Sequence, residues 1–142
     1  GYSIGMLEQE PYLNDEKIKV STQSDIGKSL LATGFPYARD GRLEHLLTPF
    51  KKVVIDYQGF RRLGSAAIDM AYVACGKCEG FYEEGLQPWD TAAGVILIQE
   101  AGGVVTDYFG KKFSVYQKTI IASNKLIQEG LVEMCHGVVA PH

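Results

Sequence analysis

Residues 81–103 have the sequence FYEEGLQPWDTAAGVILIQEAGG. Pro88 suits the first turn of a helix, where the N–H that proline lacks would have no intrahelical partner. Gly102 can end that helix, because glycine adopts the left-handed cap conformation at little cost. Between them, residues 95–98 (VILI) are apolar on all sides, which is typical of a helix in the protein interior. The segment therefore predicts a buried helix over Pro88–Glu100.

Asp90 lies in the first turn of this predicted helix. A carboxylate there is favoured by the helix dipole by about 0.3–1 kcal/mol, and it can cap free backbone N–H groups. The neighbourhood favours a ligand site instead. Trp89, the only tryptophan, precedes Asp90, and the small residues 91–94 (TAAG) follow it. A phosphate or metal site needs small residues beneath it so that the ligand can approach, whereas a helix cap does not. Local chemistry leaves both interpretations open, a helix cap or a group that binds a hard cation.

Three short motifs carry a family resemblance. Residues 89–94 (WDTAAG), followed by residues 100–103 (EAGG), resemble the C-terminal signature of the inositol monophosphatase family. Upstream, residues 61–67 (RRLGSAA) and 81–83 (FYE) resemble its substrate-contacting segment and its sugar-binding glutamate. The similarity extends from about residue 30 to about residue 130 and covers only the C-terminal half of the family. Members of this family are magnesium-dependent, lithium-sensitive phosphatases.

The resemblance implies a role for each matched residue. Asp90 would be the catalytic residue that binds Mg²⁺. The polyol-binding residues that it implies are Arg61, Gly64, Ser65, Ala66 and Glu83. From the residues alone, 64–66 also fit a tight turn with a serine cap, and Arg61 and Glu83 also fit solvated surface positions. These alternatives stay open beside the functional interpretation.

The family's other metal ligands have no counterpart in this sequence. They are a glutamate and the aspartates of an Asp-Pro-Ile/Leu-Asp-Gly-Thr motif in the N-terminal half. Because Mg²⁺ needs several oxygen ligands, Asp90 alone cannot hold it. We therefore interpret residues 1–142 as a single domain, the C-terminal portion of such an enzyme, and expect this polypeptide alone to hydrolyse no phosphate ester. Its expected partners are the missing N-terminal half, a sugar or polyol phosphate and, by the resemblance, a second copy in a homodimer.

Composition excludes several classes of protein. The chain has 142 residues, 46% of them hydrophobic, and a net charge of −3, which argues against a nucleic-acid binder. No apolar run approaches the roughly 18 residues of a membrane span. The three cysteines favour a reduced, cytoplasmic protein over a disulfide framework. Residues 75–78 (CGKC) match the spacing of redox and zinc sites, but a helix end capped by Gly76 explains them better.

The alternation of strands and helices predicts the fold class. We predict an α/β protein with a mixed, largely parallel sheet covered by helices on both faces. The resemblance implies the C-terminal portion of an αβαβα sandwich. The predicted elements are a hairpin at 11–20 turning at Asn14 and Asp15, strands at 30–36, 60–63, 78–83, 104–107 and 119–122, and helices at 43–55, 65–75, 88–100 and 124–135. Pro49 is expected to kink or break the first helix, and residues 1–10 show no clear period.

Two other functions remain alternatives. A phosphatase for nucleotide bisphosphates or fructose bisphosphate shares the Trp-Asp motif, although Glu83 argues against it because a second phosphate prefers a basic partner. A non-catalytic module could also retain the packing signature of the family. In that case Asp90→Asn would have no effect, whereas in an enzyme it should abolish turnover and leave the fold intact.

Overall fold

The computed structural model describes residues 4–7, 10–13, 16–33, 43–114 and 116–136, and the side chains of 17–33, 48–114 and 116–135. The strands are β1 Ile4–Leu7, β2 Glu10–Leu13, β3 Glu16–Lys17, β4 Leu30–Thr33, β5 Gly59–Arg61, β6 Gly80–Glu84, β7 Val104–Thr106 and β8 Thr119–Ser123. The helices are α1 Leu43–Asp56, α2 Ala66–Ala74, α3 Pro88–Glu100 and α4 Gln128–His136.

Five strands form one mixed sheet in the order β5-β4-β6-β8-β7. β4 pairs in parallel with both β5 and β6, whereas β8 is antiparallel to both β6 and β7. Four of the five strands therefore run in the same direction, and β8 runs against them. The predicted fold class, a largely parallel mixed sheet, is confirmed.

Helices cover both faces of this sheet. Neighbouring residues along a strand point to opposite faces, and the strands supply apolar residues to both. Ala32 and Phe81 are fully buried against α2 and α3, while Leu31 and Tyr82 lie in a second core cluster with α1 and α4. The two clusters place α2 and α3 on one side and α1 and α4 on the other.

A separate three-stranded antiparallel sheet precedes the main one, in the order β1-β2-β3. The predicted hairpin is present as β2 and β3, with Tyr12 opposite Lys17, but it ends at Lys17. Its proposed turn at Asn14 and Asp15 lies outside the described residues. β1 occupies part of the segment that the sequence did not place, and β2 contacts α3.

Two helices differ from their predicted form. Of the kink or break expected at Pro49, the break is absent, since α1 continues through this residue. Val53, one turn further on, is fully buried against the sheet, and such packing stabilises the helix. α4 starts at Gln128 rather than at Asn124, because a turn precedes it. The Asn124 side chain donates to the Gln23 carbonyl at 2.8 Å and accepts from the Ile127 N–H at 3.3 Å, and Lys125 adopts a φ of 78°.

α3 has the predicted bounds, and Gly102 ends it with a φ of +96°. The expectation that it is buried on all sides is wrong. Ile98 is fully buried, but Ile96 is 55% exposed and Trp89 is 78% exposed. Only one stripe of this short helix faces the sheet, so its remaining apolar residues reach the surface. No helix in the described part of the chain is long and apolar enough to cross a membrane.

Candidate active site

The parallel strands bring the predicted site residues to one edge of the sheet. β4, β5 and β6 end there, and α2 and α3 begin just beyond it. The chain leaves β4 for α1 on one face and leaves the adjacent β6 for α3 on the other. Such a switch point opens a crevice outside the carboxyl ends of the strands, the usual ligand site of open α/β sheets. Residues 34–42, between β4 and α1 in the sequence, lie outside the described residues.

The segment between β5 and α2 forms a tight left-handed turn. Gly64 has a φ of +100°, which L side chains rarely adopt, while a Cβ there would meet nothing within 4 Å. Ser65 caps α2, since its hydroxyl accepts the Ile68 N–H at 3.2 Å. The Ala66 side chain is buried in the core, so at most its backbone faces a ligand. The predicted turn and serine cap are therefore present, and glycine is required here by backbone conformation.

The two arginines of this segment have different surroundings. Arg61 is exposed, and its guanidinium donates to the carbonyl of Phe60 at 3.1 Å. Arg62 is the one whose charge lowers the pKa of Glu83 and of Asp69. Of the two arginines, Arg62 is therefore the one that stabilises the charged forms of Glu83 and Asp69, although the sequence motif points to Arg61.

Glu83 lies near the end of β6, half-buried and on the same face as Phe81. Burial, and after it the negative charges of Asp69 and Asp90, raise its pKa to about 7. The alternative interpretation, an isolated solvated glutamate, does not fit these surroundings. The structure places a desolvated carboxylate within electrostatic reach of the first turns of α2 and α3.

Asp90 forms a helix cap. Its Oδ2 accepts the N–H of Gln87 at 3.0 Å, and its own N–H donates to the Gln87 carbonyl at 2.9 Å. The capping interpretation is thus correct for one carboxylate oxygen. A carboxylate has a second oxygen with its own lone pairs, and Asp90 is only partly buried. Capping therefore does not exclude a cation at the same residue.

Comparisons with known proteins identify the family. The sequence profile of the inositol monophosphatase family matches residues 3–140.

This chain belongs to the inositol monophosphatase family.

The inositol-1-monophosphatase of Synechocystis is 43% identical over 119 residues, covering 84% of this chain and 42% of the relative. The Nus factor SuhB of Escherichia coli is 39% identical, covering 87% and 46%. The solved structure of the Thermotoga maritima IMPase superposes with a TM-score of 0.86 at 30% identity, covering 96% of this chain and 52% of that one. The chain thus spans about half the length of these members of the inositol monophosphatase family.

The donor set suits a hard cation but does not complete its coordination. Asp90 and Glu83 offer carboxylate oxygens, the ligands that Mg²⁺ prefers. Within the part of the chain that the structure describes, no group of three or more His, Cys, Asp or Glu residues could hold a metal ion. Any magnesium bound at Asp90 in an inositol monophosphatase-like site would need further ligands.

Of the small residues after Asp90, Gly94 serves helix packing, contrary to its interpretation as part of the floor of a ligand site. A Cβ on Gly94 would lie 2.7 Å from the Met70 sulfur and 2.9 Å from its Cβ. Gly94 therefore lets α3 approach α2 closely. Ala92 and Ala93 lie on the exposed side of α3. This close contact between α2 and α3 explains why a glycine occupies position 94 of this chain.

Asp69 is a site residue that the sequence analysis missed. It is 2% exposed, and its Oδ1 accepts the Leu63 N–H at 3.3 Å. Its pKa is raised to about 6, because the effect of burial outweighs the Leu63 hydrogen bond and the charge of Arg62, which both lower it. A signal was available, because Asp69 is a charged residue beside Ala66 and Met70 on the buried side of an otherwise apolar helix.

The cysteines give no support to a redox or zinc site. Cys75, Cys78 and Cys135 are free thiols, and Cys78 and Cys135 are buried. Burial raises the pKa of Cys78 to about 11, so its reactive thiolate form is disfavoured. Gly76, with a φ of +77°, ends α2. These cysteines occupy apolar positions at a helix end, as the sequence indicated.

Proposed function

We propose that this chain supplies the polyol-binding residues and one magnesium ligand of a phosphatase that hydrolyses inositol monophosphate or a similar polyol phosphate. The observation that supports this most strongly is that Glu83, near the carboxyl end of β6, lies within electrostatic reach of Asp69 and Asp90, in the first turns of α2 and α3. Neighbouring carboxylates repel one another when ionised, so a cation that takes its further ligands from elsewhere, or hydroxyl donors, would stabilise them.

Glu83 is the proposed acceptor for the polyol. An ionised carboxylate has four lone-pair sites and can accept hydrogen bonds from two neighbouring hydroxyls. A half-buried carboxylate forms stronger bonds than a solvated one, because water competes less. The turn at 61–66, with the free N–H groups at the start of α2, would line the same pocket from the side of β5.

Asp90 is the proposed magnesium ligand and the catalytic residue of this chain. Bound magnesium would polarise the phosphate and stabilise the leaving sugar oxygen. Asp90 would contribute the carboxylate oxygen that the cap leaves over, while its bond to Gln87 fixes the direction of the side chain. Water activation would belong to the N-terminal half of the family.

The N-terminal half is the proposed partner for the remaining ligands. The chain matches about half of each relative, and apolar side chains on α2 and α3 are exposed: Ile68 at 46% and Ile96 at 55%. Packing of further structure on this face would remove them from water. We further propose that the protein is a homodimer, as the family resemblance implies. Its free thiols support a location in the reducing cytoplasm.

The test uses this chain coexpressed with the N-terminal half of the Synechocystis relative, here called the complemented enzyme. Phosphate release from inositol monophosphate is measured with Mg²⁺ and with EDTA, beside the chain alone. We expect magnesium-dependent release by the complemented enzyme and none by the chain alone. Adenosine bisphosphate and fructose bisphosphate, the alternative substrates, should be hydrolysed more slowly.

Three outcomes contradict parts of this proposal. Faster turnover of a bisphosphate would assign the site to that substrate class. Release by the chain alone would show that its residues suffice. A folded complemented protein with no release on any of the three substrates would favour the non-catalytic module.

A further inference from the structure

We propose that Asp69 is a positioning residue that holds the turn at 61–65 in the conformation that binds the polyol. The inference rests on the proposed function of that turn. It concerns a residue of α2 that is buried and would not itself touch the substrate.

Asp69 holds the turn through its side chain. Its Oδ1 accepts the Leu63 N–H at 3.3 Å, on the far side of Gly64, which has a φ of +100°. The Ser65 carbonyl, on the near side of Gly64, accepts the Asp69 N–H at 3.0 Å in the first backbone hydrogen bond of α2, which any residue at this position would make. Because a glycine has many accessible conformations, the side-chain bond to Leu63 selects one of them.

A carboxylate is an unfavourable choice for this position if packing is its only role. The α2 neighbours Ala66, Met70 and Val73 belong to the core, and Asp69 is 2% exposed. Burying a charge is unfavourable unless it is paired or hydrogen-bonded. Asp69 instead satisfies a backbone N–H within the turn, and its charge faces Arg62 and Glu83.

Glu79 offers a matched comparison within the same fold. It is 7% exposed, and its Oε1 accepts the Leu30 N–H at 2.7 Å. It lies before β6, whereas Glu83 lies near the other end, four residues or about 13 Å along the strand. The two buried carboxylates thus make the same kind of bond, but only the bond of Asp69 reaches the proposed polyol pocket.

The test compares Asp69→Ala and Asp69→Asn with Glu79→Ala in the complemented enzyme. Loss of the anchor should raise KM for inositol monophosphate about tenfold with kcat changed less than about twofold, since binding is lost uniformly. Asp69→Asn keeps an oxygen that accepts the Leu63 N–H, so its KM should stay within about threefold of wild type. Glu79→Ala should lower thermal stability and leave KM unchanged.

A purely structural role would reduce the active fraction, and so the apparent kcat, at constant KM. That result for Asp69→Ala, or an equal rise in KM for Glu79→Ala, would overturn the proposal. If Asp69→Asn had the same raised KM as Asp69→Ala, the proposal would also be overturned, because the hydrogen bond from the Leu63 N–H would then not determine KM.

Hydrogen exchange separates failure of this inference from failure of the proposed function. If the complemented enzyme hydrolyses no inositol monophosphate, amide exchange at Leu63 still reports the anchor. The amide should exchange at least about tenfold faster in Asp69→Ala and at the wild-type rate in Glu79→Ala. Unchanged exchange at Leu63 in Asp69→Ala would refute the positioning role by itself.

Discussion

The two ends of β6 place a glutamate in opposite situations. Before the strand, Glu79 is buried, accepts the Leu30 N–H at 2.7 Å, and accepts the Asn124 N–H at its carbonyl at 3.0 Å. Near the other end, burial and two neighbouring carboxylates raise the pKa of Glu83 to about 7. The first acid stabilises the fold through its contacts. The second is held in an environment that disfavours its charge, which is characteristic of a functional position.

Exchanging charge for a neutral amide at each end should separate activity from stability. Glu83→Gln should lower kcat/KM for inositol monophosphate about 30- to 100-fold, because a hydrogen bond to a charged acceptor contributes roughly 1.5–3 kcal/mol. Steady-state kinetics of the complemented enzyme measures this effect. Glu79→Gln is the control and should stay within about threefold of wild type. Equal losses in the two variants would remove the distinction between the ends.

Truncation at the structural end should give the next largest effect. Glu79→Ala leaves the Leu30 N–H without its acceptor, so the free energy of unfolding should fall by about 1–3 kcal/mol. Urea denaturation of the chain measures this change. Glu83→Gln should cause no loss at pH 8, because it removes an unfavourable charge. A stabilising or neutral Glu79→Ala would show that the bond to Leu30 is dispensable.

The pH dependence of stability should give a smaller effect of defined sign. Folding raises the pKa of Glu83 from 4.5 to about 7 and that of Asp69 from 3.8 to about 6. The folded state therefore binds protons more tightly than the unfolded state. The contribution of Glu83 and Asp69 to stability is for this reason greatest below about pH 4. It is lost as pH rises towards about 7, by on the order of 1 kcal/mol after solvent screening.

Thermal unfolding in EDTA between pH 4 and pH 8 measures this loss. Glu83→Gln should flatten the profile at its upper end, since Asp69 titrates at lower pH. A melting temperature that rises from pH 5 to pH 7.5 in the wild type, or a Glu83→Gln profile of unchanged slope, would contradict the described surroundings of Glu83.

Sequence patterns predicted the elements that local chemistry marks clearly. Pro88 and Gly102 delimit α3, and Ser65 and Gly76 delimit α2, because each supplies a cap or a φ that the helix end requires. Strands were also located, and the fold class followed from their alternation with helices. The predicted start of α4 was wrong, because the turn before this helix depends on a hydrogen bond between Asn124 and Gln23, about one hundred residues apart in sequence.

The candidate site was less predictable, because its properties arise from tertiary contacts. Asp69 received no role from the sequence, since its bond to Leu63 and its proximity to Glu83 appear only when α2 packs beside β6. Gly94 was misinterpreted for the same reason, because Met70 lies on another helix. Glu83 and Asp90 lie at the same end of the sheet because α3 begins just after β6 ends. Their functional roles remain predictions.

Magnesium dependence of turnover in Asp90→Asn tests the proposed metal ligand most directly. Asparagine keeps an oxygen for the Gln87 N–H, so the melting temperature should barely change. Turnover of inositol monophosphate by the complemented enzyme should fall at least about 100-fold, because a neutral amide binds Mg²⁺ far more weakly than a carboxylate. Asp25→Asn, at a cap that accepts the Gly27 N–H at 2.9 Å, is the control and should keep full turnover. Undiminished, magnesium-dependent turnover in Asp90→Asn would show that Asp90 only caps its helix.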